Sequence, residues 1–197
     1  MYKIAVLVSG GGTNLQAVID SIEGGVLKNV EIALVISTNP RAYALERAKS
    51  HGLNTAVLAK RDFDDDISRN AALLKLLLEK KVQLVVLCGF LMVLDEQVIK
   101  AFENRIINIH PALLPNFGGK GYYGISVHEA VLAAGVDVTG ATVHFVDDGI
   151  DTGKIILQKE VAVLPGDTPE TLQKRVMEKA EWKILPKAIA IFAEGSL

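Results

Sequence analysis

The run Ile4-Ala5-Val6-Leu7-Val8-Ser9-Gly10-Gly11-Gly12-Thr13-Asn14-Leu15 decides the fold. Five consecutive apolar residues at 4–8 read as a strand with both faces buried, which is the habit of a parallel sheet. The glycines that follow let the chain turn tightly. A helical pattern then runs over 14–23 and closes at Gly24-Gly25. Strand, glycine turn and helix in that order form the first βα unit of an α/β fold.

Working outward, the same alternation repeats. A β-branched run at 30–36 is stopped by Asn39-Pro40, a helix over 42–50 ends at Gly52, and 55–58 makes a short strand. Asp64-Asp65-Asp66 sets carboxylates at the start of a helix that runs to Lys80-Lys81, where the helix dipole favours them. The wholly apolar strand 84–88 belongs in the sheet centre. The second half is less regular, with a helix at 95–103, a strand at 105–109, an irregular stretch from 111 to 124 and a helix at 126–134. Strands at 140–146 and 155–163 lead to one long terminal helix over 168–192, opened by Thr168 as cap and Pro169 at its first position. The expected architecture is a single Rossmann-like domain over 1–197, a mostly parallel twisted sheet flanked by helices.

The 197 residues carry 21 basic and 23 acidic side chains, a net charge of −2, so no basic excess points to nucleic acid. A single cysteine, Cys88, excludes an internal disulfide framework and a multi-cysteine zinc cage. No apolar run reaches the roughly 18 residues needed to span a membrane. The run at 4–8 is too short for a signal-peptide core. The expectation is a soluble cytoplasmic protein that acts on small molecules, without nucleic-acid or membrane partners, as a monomer or homodimer.

The turn at 9–15 offers the free N–H groups and partial positive charge of a helix start to an anion, or is a plain βα turn. The dinucleotide pattern fails because Leu15 stands where a third glycine is required, and the triphosphate loop fails for want of a lysine after Gly12. A monophosphate fits the turn better. Of the four histidines, His51 sits at a helix end, where a cation suits the dipole. His128 begins H-E-x-x, but Leu132 in the fifth position breaks the zinc motif. His144 lies in a strand and faces either core or site. His110 ends a strand in Asn108-Ile109-His110-Pro111, and alternation puts Asn108 and His110 on one face at a strand's carboxyl end. A carboxamide donor beside an imidazole suits chemistry through an oxyanion, although two satisfied polar residues would look the same. The loop Asp147-Asp148-Gly149-Ile150-Asp151-Thr152-Gly153 reads as a hairpin loop, a cation site, or a carboxylate aimed at His110; spacing does not choose among them.

The glycine-threonine-asparagine turn at 9–15, Asn108-Ile109-His110-Pro111-Ala112-Leu113-Leu114-Pro115, and Gly140-Ala141-Thr142-Val143-His144-Phe145-Val146 with Asp151-Thr152-Gly153 resemble the glycinamide ribonucleotide formyltransferases of purine biosynthesis. These belong to the wider folate-dependent formyl-transfer group, and the resemblance runs in order over nearly the whole chain. It implies formyl transfer from 10-formyltetrahydrofolate to the glycinamide amine, with no metal. It implies further that Gly12, Thr13, Asn14 and Glu181 hold the ribonucleotide, and that Leu91, Met92, Val93, Leu94, Asn108, Asp147, Asp148 and Asp151 hold the folate. Asn108, His110 and Asp151 form the implied catalytic set. Asn108 would stabilise the oxyanion and His110 would shuttle the proton, while Asp151 would orient His110 and raise its pKa. Thr142 and His144 are secondary, Thr142 lying where the family has a small hydroxyl residue near the aspartate.

The chain departs from the family at three places. Phe63-Asp64-Asp65-Asp66 lacks the arginine that some members use toward folate, leaving Arg69 as the candidate replacement. Ala112 stands for the commoner serine, and Lys154 for a frequent proline. The loop Asn116-Phe117-Gly118-Gly119-Lys120-Gly121-Tyr122-Tyr123-Gly124 reads as a flap over the site or a glycine-rich surface loop. Rival readings are a formyltetrahydrofolate hydrolase, a transferase for methionyl-tRNA or a sugar nucleotide, and a non-catalytic nucleotide-binding module. The tRNA enzyme needs a further nucleic-acid-binding domain for which neither length nor charge leaves room. The hydrolase usually carries an additional N-terminal regulatory domain, and Asn108, His110 and Asp151 together argue against a non-catalytic module.

Overall fold

Strand β1 (Tyr2–Val8) shows why the sheet needs helices on both faces. Ile4, Val6 and Val8 pack into one core and Ala5 and Leu7 into another, and all five are fully buried. Burial of each large side chain contributes about 1.5–3 kcal/mol, so a strand of this composition is stable only when covered twice. The computed structural model describes residues 1–196. In it β2 (Val30–Ser37), β3 (Thr55–Val57), β4 (Leu84–Cys88), β5 (Ile106–His110), β6 (Val138–Phe145) and β7 (Ile155–Ala162) complete a seven-stranded sheet in the order β3-β2-β1-β4-β5-β6-β7. The first five strands pair in parallel, and β6 and β7 add antiparallel.

Helices α1 (Thr13–Glu23), α2 (Tyr43–Ser50), α5 (Ile125–Ala133), α6 (Pro169–Val176) and α7 (Trp182–Ala193) supply the core on the Ile4 side. On the Ala5 side lie α3 (Asp66–Glu79) and α4 (Glu96–Ala101), which contribute Leu73, Leu77 and Val98. Their starts follow local chemistry. Asp65 accepts from the Ser68 N–H in a capping box, Asp95 accepts from Val98, and Thr168 accepts from Thr171 ahead of Pro169.

Two differences from the sequence reading bear on the site. Strand β5 extends to His110 because His110 pairs with Thr142 of β6, which fixes His110 in the sheet and not beyond it. The expected terminal helix is interrupted: the turn Met177–Glu181 widens to π geometry between α6 and α7. A short 3₁₀ turn, Lys60–Asp62, also precedes α3. The chain leaves β1 toward β2 and β3 on one side and later fills β4 and β5 on the other. The carboxyl ends of β1 and β4 therefore frame a topological switch point, where ligands of such sheets bind.

Candidate active site

The glycine turn leaves β1 at this crevice. Ser9 Oγ shares a 2.7 Å hydrogen bond with Thr38 Oγ1 and accepts one of 3.0 Å from the Leu91 N–H, tying the turn to the loop after β4. Gly12 caps α1 at φ 74°, with no side-chain cap, so the first N–H groups of the helix have no side-chain acceptor. A Cβ on Gly12 would sit 2.6 Å from Ala44 Cβ, so glycine is required here by α2 and by the left-handed backbone. Arg47 clasps the turn from α2 through Nε to the Gly11 carbonyl at 2.9 Å. Both side chains that open α1 reach the widened turn: Thr13 Oγ1 donates to Met177 Sδ at 3.5 Å, and Asn14 Nδ2 donates to Glu181 Oε2 at 2.6 Å. Glu181 is only 5% exposed. Burial pushes its carboxyl up to about 7 against the opposing pull of the Asn14 hydrogen bond.

Four polar side chains meet where β5 and β6 run side by side. Asn108 Nδ2 donates to His144 Nε2 at 3.1 Å and approaches Asp151 Oδ1 at 3.5 Å. His144 Nδ1 is 2.8 Å from the Phe145 carbonyl, which holds its proton on Nδ1 and leaves Nε2 as acceptor. His110 Nε2 donates to the Phe117 carbonyl at 2.8 Å, so its other nitrogen, Nδ1, is the free one; it lies 3.5 Å from Asp151 Oδ2. Asp151 also accepts from the Gly119 N–H at 3.0 Å and sits in the left-handed region at φ 58°. Phe117 adopts φ 55°, a costly conformation for a bulky residue, and its carbonyl is the one that fixes His110.

Burial lowers the His110 pKa and outweighs the upward pull of Asp151 and the Phe117 carbonyl, while His144 lowers it further. Burial works to raise Asp151, but its neighbours His144, the Gly119 N–H and His110 together bring it below the ordinary carboxyl value. His110 thus rests as a neutral base beside a carboxylate that stabilises its protonated form.

These groups lie along one cavity of about 500 Å³. Its walls are Leu91, Met92, Val93 and Leu94 after β4, the loop carrying Asp147, Asp148 and Asp151, and Gly119 to Gly124. Leu91 and Val93 are 64% and 75% exposed at its rim, whereas Met92 and Leu94 pack down onto α3 and α4. Asp147 Oδ1 accepts from Thr152 Oγ1 at 2.6 Å and from the Gly149 N–H at 3.1 Å, so it shapes the acidic loop itself. Among the described residues, no group of three or more His, Cys, Asp or Glu side chains is arranged to hold a metal ion.

A family model described as formyl transferase matches residues 2–189. The chain belongs to this family. It is 40% identical over 194 residues to the chloroplastic phosphoribosylglycinamide formyltransferase of Arabidopsis thaliana, covering 98% of this chain and 65% of the plant protein. It is 39% identical to the phosphoribosylglycinamide formyltransferase of Haemophilus influenzae, covering 100% of this chain and 90% of that one. The crystal structure of glycinamide ribonucleotide transformylase 1 from Symbiobacterium toebii superimposes with a TM-score of 0.92 at 42% identity, covering 99% and 89% of the two chains. The chain spans about two thirds of the plant relative and 14–19% of the animal trifunctional purine biosynthetic proteins it also matches.

Against this family's pattern, Asn108, His110, His144 and Asp151 do come together, and the residues expected toward folate do line one cavity. Asp151 does pull the His110 pKa upward, but the imidazole is 3% exposed and its desolvation is the larger effect, so the net shift is downward. Thr142 is not engaged with the aspartate; its hydroxyl donates to the Ala112 carbonyl at 2.7 Å and accepts from Leu114 N–H and Gln158 Nε2, pinning the segment after His110. Arg69 does not line the cavity; it is 6% exposed, with Nε on the Leu58 carbonyl at 2.7 Å. His128 is fully buried, with neither ring nitrogen hydrogen-bonded, and burial pushes its pKa down to about 4. Sequence reasoning missed the Phe117 carbonyl, the Gly119 N–H and Met177. The first two are backbone groups, and only the glycine-rich composition of 116–124 hinted at them.

Proposed function

We propose that the chain transfers the formyl group of 10-formyltetrahydrofolate to the amine of glycinamide ribonucleotide. The observation that carries this reading is the meeting of Asn108, His110 and Asp151 at one cavity, whose Leu91 is tied through Ser9 to the turn before an uncapped helix start suited to a phosphate. The ribonucleotide's phosphate lies on the N–H groups of Gly12, Thr13 and Asn14, with Glu181 toward its sugar. The folate lies along Leu91–Leu94 and the acidic loop, an apolar wall for a flat ring with polar groups at its inner end.

The amine lone pair attacks the formyl carbon and the carbonyl oxygen becomes an oxyanion. Asn108 has one N–H committed to His144; the other has only a 3.5 Å approach to Asp151 and is the donor for that oxyanion. His110 takes the amine proton on Nδ1, the nitrogen not held by Phe117, and Asp151 stabilises the resulting imidazolium. The tetrahedral intermediate collapses as the carbon–nitrogen bond to folate breaks. The leaving nitrogen takes the proton back from His110, so the enzyme ends as it began. His144 holds Asn108 in position.

The test is a formyl-transfer assay with purified protein and both substrates. The expected products are formylglycinamide ribonucleotide and tetrahydrofolate in equal amounts. Formate release independent of the ribonucleotide would overturn the transferase reading in favour of a hydrolase.

A further inference from the structure

Two successive carbonyls of the glycine turn are held from outside, by α2. The Gly10 carbonyl accepts from the Ala44 N–H at 3.2 Å, and the Gly11 carbonyl accepts from Arg47 Nε at 2.9 Å. The Gly11–Gly12 peptide is trans, so its N–H points opposite to its carbonyl, and the bond from Arg47 also sets the direction of the Gly12 N–H. That N–H finds no backbone acceptor among the described residues. Arg47 is itself firmly placed. Its Nη1 donates to Gln16 Oε1 at 3.2 Å, its guanidinium carbon lies 4.9 Å from the centre of the Tyr43 ring, and its Cδ would lie 3.5 Å from a Cβ added to Gly12. Gln16 keeps that oxygen for Arg47 because its Nε2 donates to Asp20 Oδ1 at 2.9 Å and faces His51 Nε2 at 3.3 Å. All these partners of the guanidinium are uncharged, and Arg47 forms no ion pair among the described residues. A half-buried positive charge thus stands unneutralised behind the peptide that opens α1.

We propose that Arg47 is a positioning residue for the phosphate of the ribonucleotide, holding the Gly11–Gly12 peptide with its carbonyl outward and its N–H toward the anion. The inference rests on the proposed placement of the phosphate at the start of α1, and adds a residue of another helix that acts through the turn. The need for such a clamp comes from glycine itself. Gly12 sits at φ 74°, and a flip of the preceding peptide by about 180° would carry φ to about −106°, which glycine adopts as readily. The flipped peptide would present an oxygen to the anion in place of a donor. A cation on the carbonyl opposes that flip, and by polarising the peptide it strengthens the N–H as a donor.

Arg47→Met keeps an unbranched stem over Gly12 and removes both the charge and the Nε–H. The expected result is a rise of tenfold or more in KM for glycinamide ribonucleotide and in the inhibition constant of ribose 5-phosphate. Turnover and KM for 10-formyltetrahydrofolate should stay within threefold, and so should inhibition by the phosphate-free glycinamide ribonucleoside. Arg47→Lys, which restores the charge without the fixed Nε–H, should recover part of the loss. Lys49→Met removes an exposed cation of the same helix, paired only with Glu46, and should leave all of these constants unchanged. Proton exchange at Arg47 Nε, followed by nitrogen-15 NMR on the unaltered protein, covers the case in which Arg47→Met does not fold: ribose 5-phosphate should slow it at least tenfold. An unchanged ribonucleotide KM in folded Arg47→Met, an equal loss for the phosphate-free ribonucleoside, an equal loss in Lys49→Met, or exchange at Nε indifferent to ribose 5-phosphate overturns the proposal. Failure of the unaltered protein to formylate the ribonucleotide would instead overturn the functional reading beneath it.

Discussion

Replacing Glu181 by Gln separates the stability cost of this residue from its use. The carboxyl is 5% exposed and burial pushes it up to about 7 from an ordinary 4.5. Between those two values the unfolded chain has released its proton and the folded chain has not. Stability is therefore fully present below about pH 4.5, is lost progressively up to about pH 7, and is level above that. At 1.36 kcal/mol per pH unit the loss is about 3 kcal/mol. Gln keeps the size of the side chain and still accepts from Asn14 Nδ2, but does not ionise. In the absence of substrates the variant should therefore match the unaltered protein near pH 4.5. At pH 8.5 it should be more stable by about 3 kcal/mol, or about 6–12 °C in Tm for a chain of this length. The measurement is a series of thermal and urea melts of both proteins from pH 4.5 to 9. A Tm difference that does not change with pH would refute the argument, because it would mean that Glu181 is ionised or solvated in the folded state.

Three further outcomes follow from the site. Asn108→Ala should lower turnover by about 10²–10³ with little change in ribonucleotide binding, as loss of an oxyanion donor does; near-normal turnover in steady-state assays would remove Asn108 from the mechanism. Asp151→Asn removes the charge that pulls the His110 pKa upward, so burial should lower it further and move the acid limb of the pH–rate profile to lower pH while turnover falls. An unshifted limb would show that Asp151 does not act on His110. Gly12→Val sets a β-branched side chain at φ 74° against Ala44, and should cost about 2–4 kcal/mol in urea denaturation whether or not phosphate is present. A variant with full stability but a raised ribonucleotide KM would instead assign the glycine to the anion.

Much of the frame was legible because it depends on short-range rules. The apolar runs at 4–8 and 84–88 are strands covered twice, and Asp65 and Thr168 start helices, since a side-chain oxygen satisfies backbone N–H groups only two or three residues away. Period-two alternation put Asn108 and His110 on one face, and both line the cavity. Start and stop signals alone make the terminal helix unbroken, yet its apolar positions recur every four residues, from Leu172 to Ala188. That drift from 3.6 is a signal of a wide turn, and it can be seen in the sequence once helical phase is followed along the whole segment.

What only the tertiary structure decided concerns partners and burial. Glu181 meets Asn14 across 167 positions of sequence, and His144 meets Asn108 across 36, contacts set by sheet order and helix docking with no local signature. Gly12 faces Ala44, so a neighbouring helix demands glycine there, a requirement that the turn's own sequence does not show. Arg69, a free cation by composition, is buried on the Leu58 carbonyl. The sign of the His110 shift is a contest between desolvation and the Asp151 charge. The sequence names both residues, but depth of burial belongs to the packed molecule, and there desolvation is the larger effect. Residue types and spacing determined which chemistry was available to this chain, because backbone geometry and capping act over a few residues. Distances, burial and proton positions were settled by packing, because they depend on which distant elements the sheet brings side by side.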